Sequence, residues 1–426
     1  MESWGNVKKT IVFISIFVFL IAGFTWLYFH NEKKYLANNE QNIHSVGQTI
    51  SKKDKELLKD IKEHYNSLVK TTKEIPVYMK DKKYEECGKI GKKIILQLAT
   101  ISKITKDDIY FKIENTEYYV SYKDVTPINE AQTNEDYKNY IPFDKSIVMD
   151  HVMLYTEGGL AYDLPENLTA PIIIDETDRK YIEYRGKLYY AKEENIREII
   201  PNDQKGEYAK QMAVLNYHFF YNDGSKGCNE SICLKSSKFE EQMKYLSDNG
   251  YYTPTMKEFE MFLDKKIRLP KKSVMLTVDD GAMGTENILP SILEKYNKRA
   301  SLFLITGWND KSKFTSPNVE LHSHSDAMHK AGICPGGQGG GIKCLAREKV
   351  LEDLKRTREL LNNTTAFAYP FYEYNDYAIS LLKEAGFTMA FIGGNKKAVP
   401  GVNKMLIPRY PILSDITLNS FIKKIT

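Results

Sequence analysis

The sequence carries little surplus charge, a net +4 over 426 residues. So small an excess gives no basic stripe to meet a phosphate backbone, and nucleic acid is not an expected partner. Cysteine is scarce too: there are five, and a metal site made of them is less expected than disulfides. Cys228 and Cys233 are close in sequence, as are Cys334 and Cys344. Two short disulfides are therefore expected, which suits an oxidising exterior, and Cys87 is left over with no readable role. Histidine is equally sparse at eight residues, so any clustering of histidines carries information. No small-residue cleavage site follows the one long apolar run, which argues against a removable signal peptide.

That run, Ile11 to Phe29, contains no charge and is long enough to cross a bilayer. Lys8 and Lys9 precede it, and Trp26 and Tyr28 sit near its far end as interfacial aromatics do. The expectation is a single-pass membrane protein with its bulk on the extracytoplasmic side. Residues 1–30 would be tail and anchor, and 31–74, lysine-rich with thin helical spacing, a stalk helix. Next come two similar stretches. DDIYFKIENTEYYVSYKDVTPI reads as strand, turn, strand, and DRKYIEYRGKLYYAKEENIREII repeats the pattern, with Tyr118 falling on Tyr189 and Val125 on Ile196. Two small β modules are expected, 75–135 and 136–205. They resemble bacterial SH3-like modules, which implies docking onto cell-envelope glycan; a spacer without a ligand fits equally well. From 206 to 426 apolar strands alternate with amphipathic helices, a pattern that predicts an α/β fold, a deformed (β/α) barrel with its chemistry at the carboxyl ends of the strands.

Three predicted strand ends in that region carry reactive residues. SVMLTVDDG ends in Asp279 and Asp280. Neighbouring side chains on an extended strand point to opposite faces, so the two carboxylates can share one site only if the strand breaks there, which Gly281 permits. One ligand and one base is the division of labour that two such acids suggest; a simple turn is the plainer reading. ELHSHSDAMH places His322, His324 and His329 within eight residues. Five residues on a helix rotate by about 140°, so His324 and His329 converge only if one ends the strand and the other lies in the loop beyond it. His322 alternates in phase with His324 and is not excluded. The third segment, FAYPFYEYN, is either core or an aromatic wall for a sugar ring. One Asp and two His form a ligand set with open positions that suits Zn2+ or another divalent ion.

The segments TVDDG, HSHSDAMH and AYPFY resemble the motifs of the polysaccharide deacetylases, the NodB-homology or carbohydrate esterase family 4 enzymes. The five-residue histidine spacing and the segment before TVDDG are most similar to the circularly permuted poly-N-acetylglucosamine deacetylases of biofilm matrix. The resemblance spans about Met212 to the C-terminus. It implies Asp279 as base, Asp280, His324 and His329 as ligands of Zn2+ (or Co2+ or Ni2+), the Phe371 N–H as oxyanion donor, and Tyr369 and Tyr372 at the substrate. Two elements of the pattern are missing. Ala368 stands where an Arg usually precedes the proline, and no histidine follows His329 to supply the usual general acid. His218, at the end of the strand MAVLNY, is the substitute, expected across the metal from Asp279 because the first and last strands of a closed barrel are neighbours.

The resulting expectation is metal-dependent release of acetate from N-acetylglucosamine units of an extracellular or cell-wall polysaccharide. Peptidoglycan is an alternative substrate. A non-catalytic envelope-binding protein is an alternative of another class, and a two-carboxylate glycosidase is disfavoured by the adjacency of the two acids.

Overall fold

The computed structural model describes residues 68–426 apart from 80–84, 98–100, 105–107, 114–115, 129–136, 204–205, 226–227 and 229–230, together with Glu56 and Lys59. The expected anchor and nearly all of the expected stalk lie outside the described residues. The last turn of that stalk is corrected: Leu68–Thr71 is a strand, paired with Ile95–Gln97 and Val125–Ile128 and burying the β-branched Val69. Its apolar spacing was too thin to hold a helix against sheet pairing. Among the described residues no helix is long and apolar enough to cross a membrane.

The chain forms two compact units, one from residues up to Thr133 plus Asp150–Leu168, the other from Asn134–Met149 plus Thr169–Thr426. The stretch expected as a second module, 136–205, is thus divided between them. In the first unit an antiparallel sheet runs Val152–Thr156, Gly159–Leu164, Glu86–Ile90, Ile75–Met79, Thr116–Ser121, Asp108–Ile113, Ile101–Ile104. Its hairpin of Asp108–Ile113 with Thr116–Ser121 has a counterpart in the second unit, Arg179–Tyr184 with Lys187–Lys192. In the latter the turn is Arg185-Gly186, both at positive φ, as a two-residue turn matching strand twist requires. Tyr118 and Tyr189 occupy the same buried position in the two copies, and a single helical turn follows each hairpin.

The rest of the second unit is a closed barrel of seven parallel strands: β1 (Ala213–Tyr217), β2 (Val274–Asp280), β3 (Ala300–Leu304), β4 (Val319–Ser323), β5 (Ala366–Ala368), β6 (Met389–Gly393) and β7 (Ile407–Pro411), in chain order around the ring. β7 closes on β1, Leu215 opposite Tyr410. Strands β1, β2, β3 and β5 are buried at every residue, which is why they read as continuous apolar runs rather than alternating ones. Helices α1 (Ser236–Asp248) and α2 (Met256–Leu263) fall between β1 and β2, α3 (Ile288–Lys295) between β2 and β3, α4 (Arg347–Leu360) between β4 and β5, α5 (Asp376–Glu384) between β5 and β6, and α6 (Leu418–Ile425) after β7. Each turns an apolar stripe inward; α1, for example, buries Phe239, Met243 and Leu246 at helical spacing. The crossovers from β3 to β4 and from β6 to β7 hold only a single helical turn each, so the barrel is deformed. β7 has no counterpart among the strands expected from sequence. Pro408 and Pro411 interrupt its pattern, and proline ordinarily argues against a central strand.

Candidate metal centre

β2 carries both carboxylates to the end of the barrel. The strand breaks one residue earlier than Gly281 alone would allow. Asp280 itself takes φ +75°, followed by Gly281 at φ +83°. At that φ a side chain would be strained, and a Cβ would also press on Leu304 Cδ1 at 2.2 Å, which favours glycine there. The break lets Asp279 and Asp280 act on one cluster instead of opposite faces.

Asp280 Oδ1 lies 3.4 Å from Nε2 of His324 and 3.4 Å from Nε2 of His329. The three ligand atoms all fall within 4.8 Å of one another. Ser325, at φ +73°, turns the chain just past β4 so that His324 and the loop residue His329 converge. His324 Nδ1 is 2.8 Å from the carbonyl oxygen of Ala368. A carbonyl only accepts, so Nδ1 carries the proton, and in the neutral ring Nε2 presents a lone pair to Asp280 Oδ1. That oxygen is buried and makes no hydrogen bond. Two lone pairs facing each other call for a cation between them. Burial opposes charge on His324, but Asp279 and Asp280 outweigh it and raise its pKa, so the site favours positive charge at this point. Burial, reinforced by His324, pushes His329 down to about 4, so it is the neutral imidazole that a metal needs. Burial also works against the Asp280 carboxylate, yet the histidines hold its pKa low. Donor types and spacing therefore fit a divalent ion, whose bonds to N and O are about 2.0–2.2 Å.

Asp279 faces a different set of groups. Arg409 on β7 grips it with both arms, Nη1 to Oδ1 at 2.7 Å and Nη2 to Oδ2 at 2.8 Å, and Asn216 Nδ2 on β1 donates to Oδ2 at 3.1 Å. Burial alone would raise the Asp279 pKa, but Arg409, helped by His324 and His218, brings it well below the usual carboxylate range. The guanidinium is fully buried and lies over the ring of Tyr372, 5.4 Å from its centroid, while Asn216 Nδ2 also donates to the Tyr372 hydroxyl at 2.7 Å. The guanidinium beside Asp279 thus comes from β7, with alanine at position 368. Sequence reading missed Arg409 together with the strand that bears it, and Asn216 was read only as part of a strand.

His218 lies at this centre, but not across it from Asp279 as expected. Its Nε2 is 3.9 Å from Asp279 Oδ2, and its buried Nδ1 has no hydrogen-bond partner. Burial lowers its pKa against the opposing pull of Asp279 and Asp280. The side-by-side arrangement follows from β1 and β2 being direct neighbours, Tyr217 opposite Val278. His322 is not part of the group; its Nδ1 is 2.7 Å from Thr364 Oγ1.

The AYPFY segment divides its residues. Phe371, at φ +58°, packs its ring against His329, centroids 4.4 Å apart and planes tilted by 41°. It lies just after Pro370 with left-handed backbone. Tyr372 is half-buried beside Asn216. Tyr369 is a correction: it is fully buried against Phe367 and cannot form a wall for substrate, because on the strand exit its side chain falls on the core side. The two expected cysteine pairs are joined, with Cα separations of 5.8 Å for Cys228–Cys233 and 5.7 Å for Cys334–Cys344. A further residue holds the histidine loop. Asp353 on α4 accepts the Asp326 N–H at 2.8 Å on one oxygen and the Ala327 N–H at 2.7 Å on the other. Burial pushes its carboxyl up to about 6.

Residues 266–390 match the family model of the polysaccharide deacetylases. That span contains Asp279, Asp280, His324, His329 and Phe371, whereas Asn216, His218 and Arg409 come from strands outside it. A poly-beta-1,6-N-acetyl-D-glucosamine N-deacetylase of Staphylococcus aureus (strain MSSA476) is 26% identical over 233 residues, 50% of this chain and 79% of the relative. The protein of that name from strain MRSA252 is 27% identical over 236 residues, with the same coverage. Among solved structures, IcaB from Ammonifex degensii is 21% identical and superimposes with a TM-score of 0.43, covering 51% of this chain and 97% of that one.

Proposed function

We propose, on the premise that this chain carries a polysaccharide deacetylase domain and is a hydrolase, that it removes acetyl groups from N-acetylglucosamine units of an extracellular or cell-wall polysaccharide and releases acetate. The relatives' names favour a poly-N-acetylglucosamine; peptidoglycan is the second candidate within the same chemistry. The observation that carries the reading is the convergence of Asp280, His324 and His329 beside an ionised carboxylate, Asp279, that is not among them. A purely binding protein has no use for so many buried charges, each costly to desolvate.

Asp280, His324 and His329 would hold the ion, Zn2+ by ligand type, with Co2+ and Ni2+ also suited. When bound, such an ion polarises the acetyl carbonyl and makes a water more acidic. Asp279 is the base. Arg409 and Asn216 hold it ionised and fix its orientation, so it takes the water's proton without rearranging. The amine is a poor leaving group and must be protonated as the C–N bond breaks. We assign this to His218: its Nε2 is 3.9 Å from Asp279 Oδ2, too far for a direct hydrogen bond but bridgeable by one water, through which the proton taken by Asp279 would return to the amine nitrogen by way of the imidazole. The Phe371 N–H is the donor to the developing oxyanion.

The charge-free run Ile11–Phe29 would anchor the chain in the cell membrane with the barrel outside, and the repeated hairpins would act as SH3-like modules on envelope glycan. The decisive assay is acetate release from poly-β-1,6-N-acetylglucosamine, chitooligomers and purified peptidoglycan, each with Zn2+, Co2+ or Ni2+ added. Asp279→Asn should abolish release from whichever is the substrate while still binding metal. Full activity in that variant refutes the mechanism.

A further inference from the structure

Seven large hydrophobic side chains are exposed among the described residues, and four of them share one location. Met283 follows β2, Trp308 follows β3, Ile333 follows β4 and Tyr374 follows β5, one on each of four successive loops at the carboxyl ends of the strands. Apolar groups scattered singly need no explanation, but one per loop around the mouth of a polar site does. Trp308 is the most exposed of them, at 56%, and the nearest to the chemistry: its ring meets His329 edge-on with centroids 5.3 Å apart.

The Trp308 loop is held in place. The Thr306 N–H donates to the Ser325 carbonyl at 3.2 Å, the Gly307 N–H donates to the Asp326 carbonyl at 3.0 Å, and the Thr306 hydroxyl donates to Asp326 Oδ1 at 2.7 Å. A Cβ at Gly307 would lie 2.4 Å from the Asp326 carbonyl oxygen, so only glycine allows the two loops to approach this closely. The indole is therefore pre-positioned beside a metal ligand, with little ordering left to pay on binding.

We infer that Trp308 is a stacking platform for a pyranose ring of the glycan, the ring adjacent to the one whose acetamide is cut. A rigid aromatic face beside the site suits the apolar face of a sugar, and the apolar side chains on neighbouring loops extend that surface. The consequence is a preference for internal residues of a chain over free N-acetylglucosamine. The inference rests on the deacetylase reading and deepens it by assigning a subsite.

The sequence supplies its own probe, because Trp308 is one of three tryptophans and the other two, Trp4 and Trp26, precede residue 27. In detergent-solubilised, Zn2+-loaded full-length protein bearing Asp279→Asn, titration with a β-1,6- or β-1,4-linked N-acetylglucosamine pentamer should shift the emission to the blue. Free N-acetylglucosamine should shift it much less, and Trp308→Phe in the same background should abolish the response. In active protein, Trp308→Ala should lower kcat/KM on the pentamer by roughly 2- to 12-fold, mainly through KM, and by less on the single sugar. A loss independent of chain length, an unshifted spectrum, or a shift given by lipid vesicles and not by pentamer overturns the platform. A blue shift with pentamer but no acetate from active protein overturns the hydrolytic reading while leaving the platform standing.

Discussion

Replacing Arg409 by methionine keeps most of the buried stem and removes the guanidinium. Asp279, itself buried, would then keep only Asn216 as a hydrogen-bonded neighbour. Breaking a buried pair by deleting one partner costs about 3–5 kcal/mol. That cost should depend on pH with a definite sign. In the native protein the folded-state pKa of Asp279 lies below its unfolded value of about 3.9. Its stabilising contribution is full above that value and is lost as pH falls through the lower folded one. In Arg409→Met, burial acts with its main opponent gone and the folded pKa rises above about 3.9. The folded variant then holds a proton that the unfolded chain has released, so its stability falls as pH rises through the new value. The gap between the two proteins should be smallest in strong acid, already be large near pH 4, and reach the full ~3–5 kcal/mol once pH exceeds the variant's raised folded value. Urea unfolding followed by Trp308 fluorescence at several pH values measures it. A gap that stays constant with pH, or one below about 1 kcal/mol at pH 8, would mean that the ion pair is not what keeps Asp279 charged.

Two further outcomes follow from the same geometry. His218→Ala should retain metal and fold yet lose about 10²–10⁴-fold in acetate release, as removal of a positioned proton donor does, read by steady-state kinetics beside metal analysis; near-normal turnover would leave the reaction without an identified acid. Asp353→Asn leaves one acceptor oxygen for two backbone N–H groups of the histidine loop, and should weaken Zn2+ binding by roughly 10–100-fold in a competition titration; unchanged affinity would show that the loop holds its shape without it.

β2 was legible because it is almost wholly apolar and ends in two aspartates, and β4 because three histidines cluster at and beyond its end. Asp280, His324 and His329 stand out for that reason, and the structure brings them together. What escaped was set by long-range pairing or by backbone shape. Arg409 sits between Pro408 and Pro411, residues that mask a strand in sequence yet are accommodated in β7. Tyr369 and Tyr372 read alike as aromatics after a short strand, and only the turn at Phe371 and Tyr372, both at positive φ, separates a buried ring from one beside Asn216. The break at Asp280 was anticipated at Gly281. An aspartate held in the left-handed region is a local cost that no propensity rule would forecast.

Closure of the barrel has a bearing on when this protein first becomes competent during its synthesis. β1 and β2 are the first barrel strands to be made, and their pairing brings Asn216 alongside Asp279 with Arg409 still to come. β7 must then find β1 across nearly the whole barrel sequence, Tyr410 to Leu215, the kind of distant pairing that folds slowly. Until it docks, the carboxylate has no guanidinium to hold it charged and no reason to leave water. A nascent or C-terminally clipped chain can therefore gather Asp280, His324 and His329 and still lack an ionised Asp279, so on the mechanism proposed above metal uptake and activity need not arrive together.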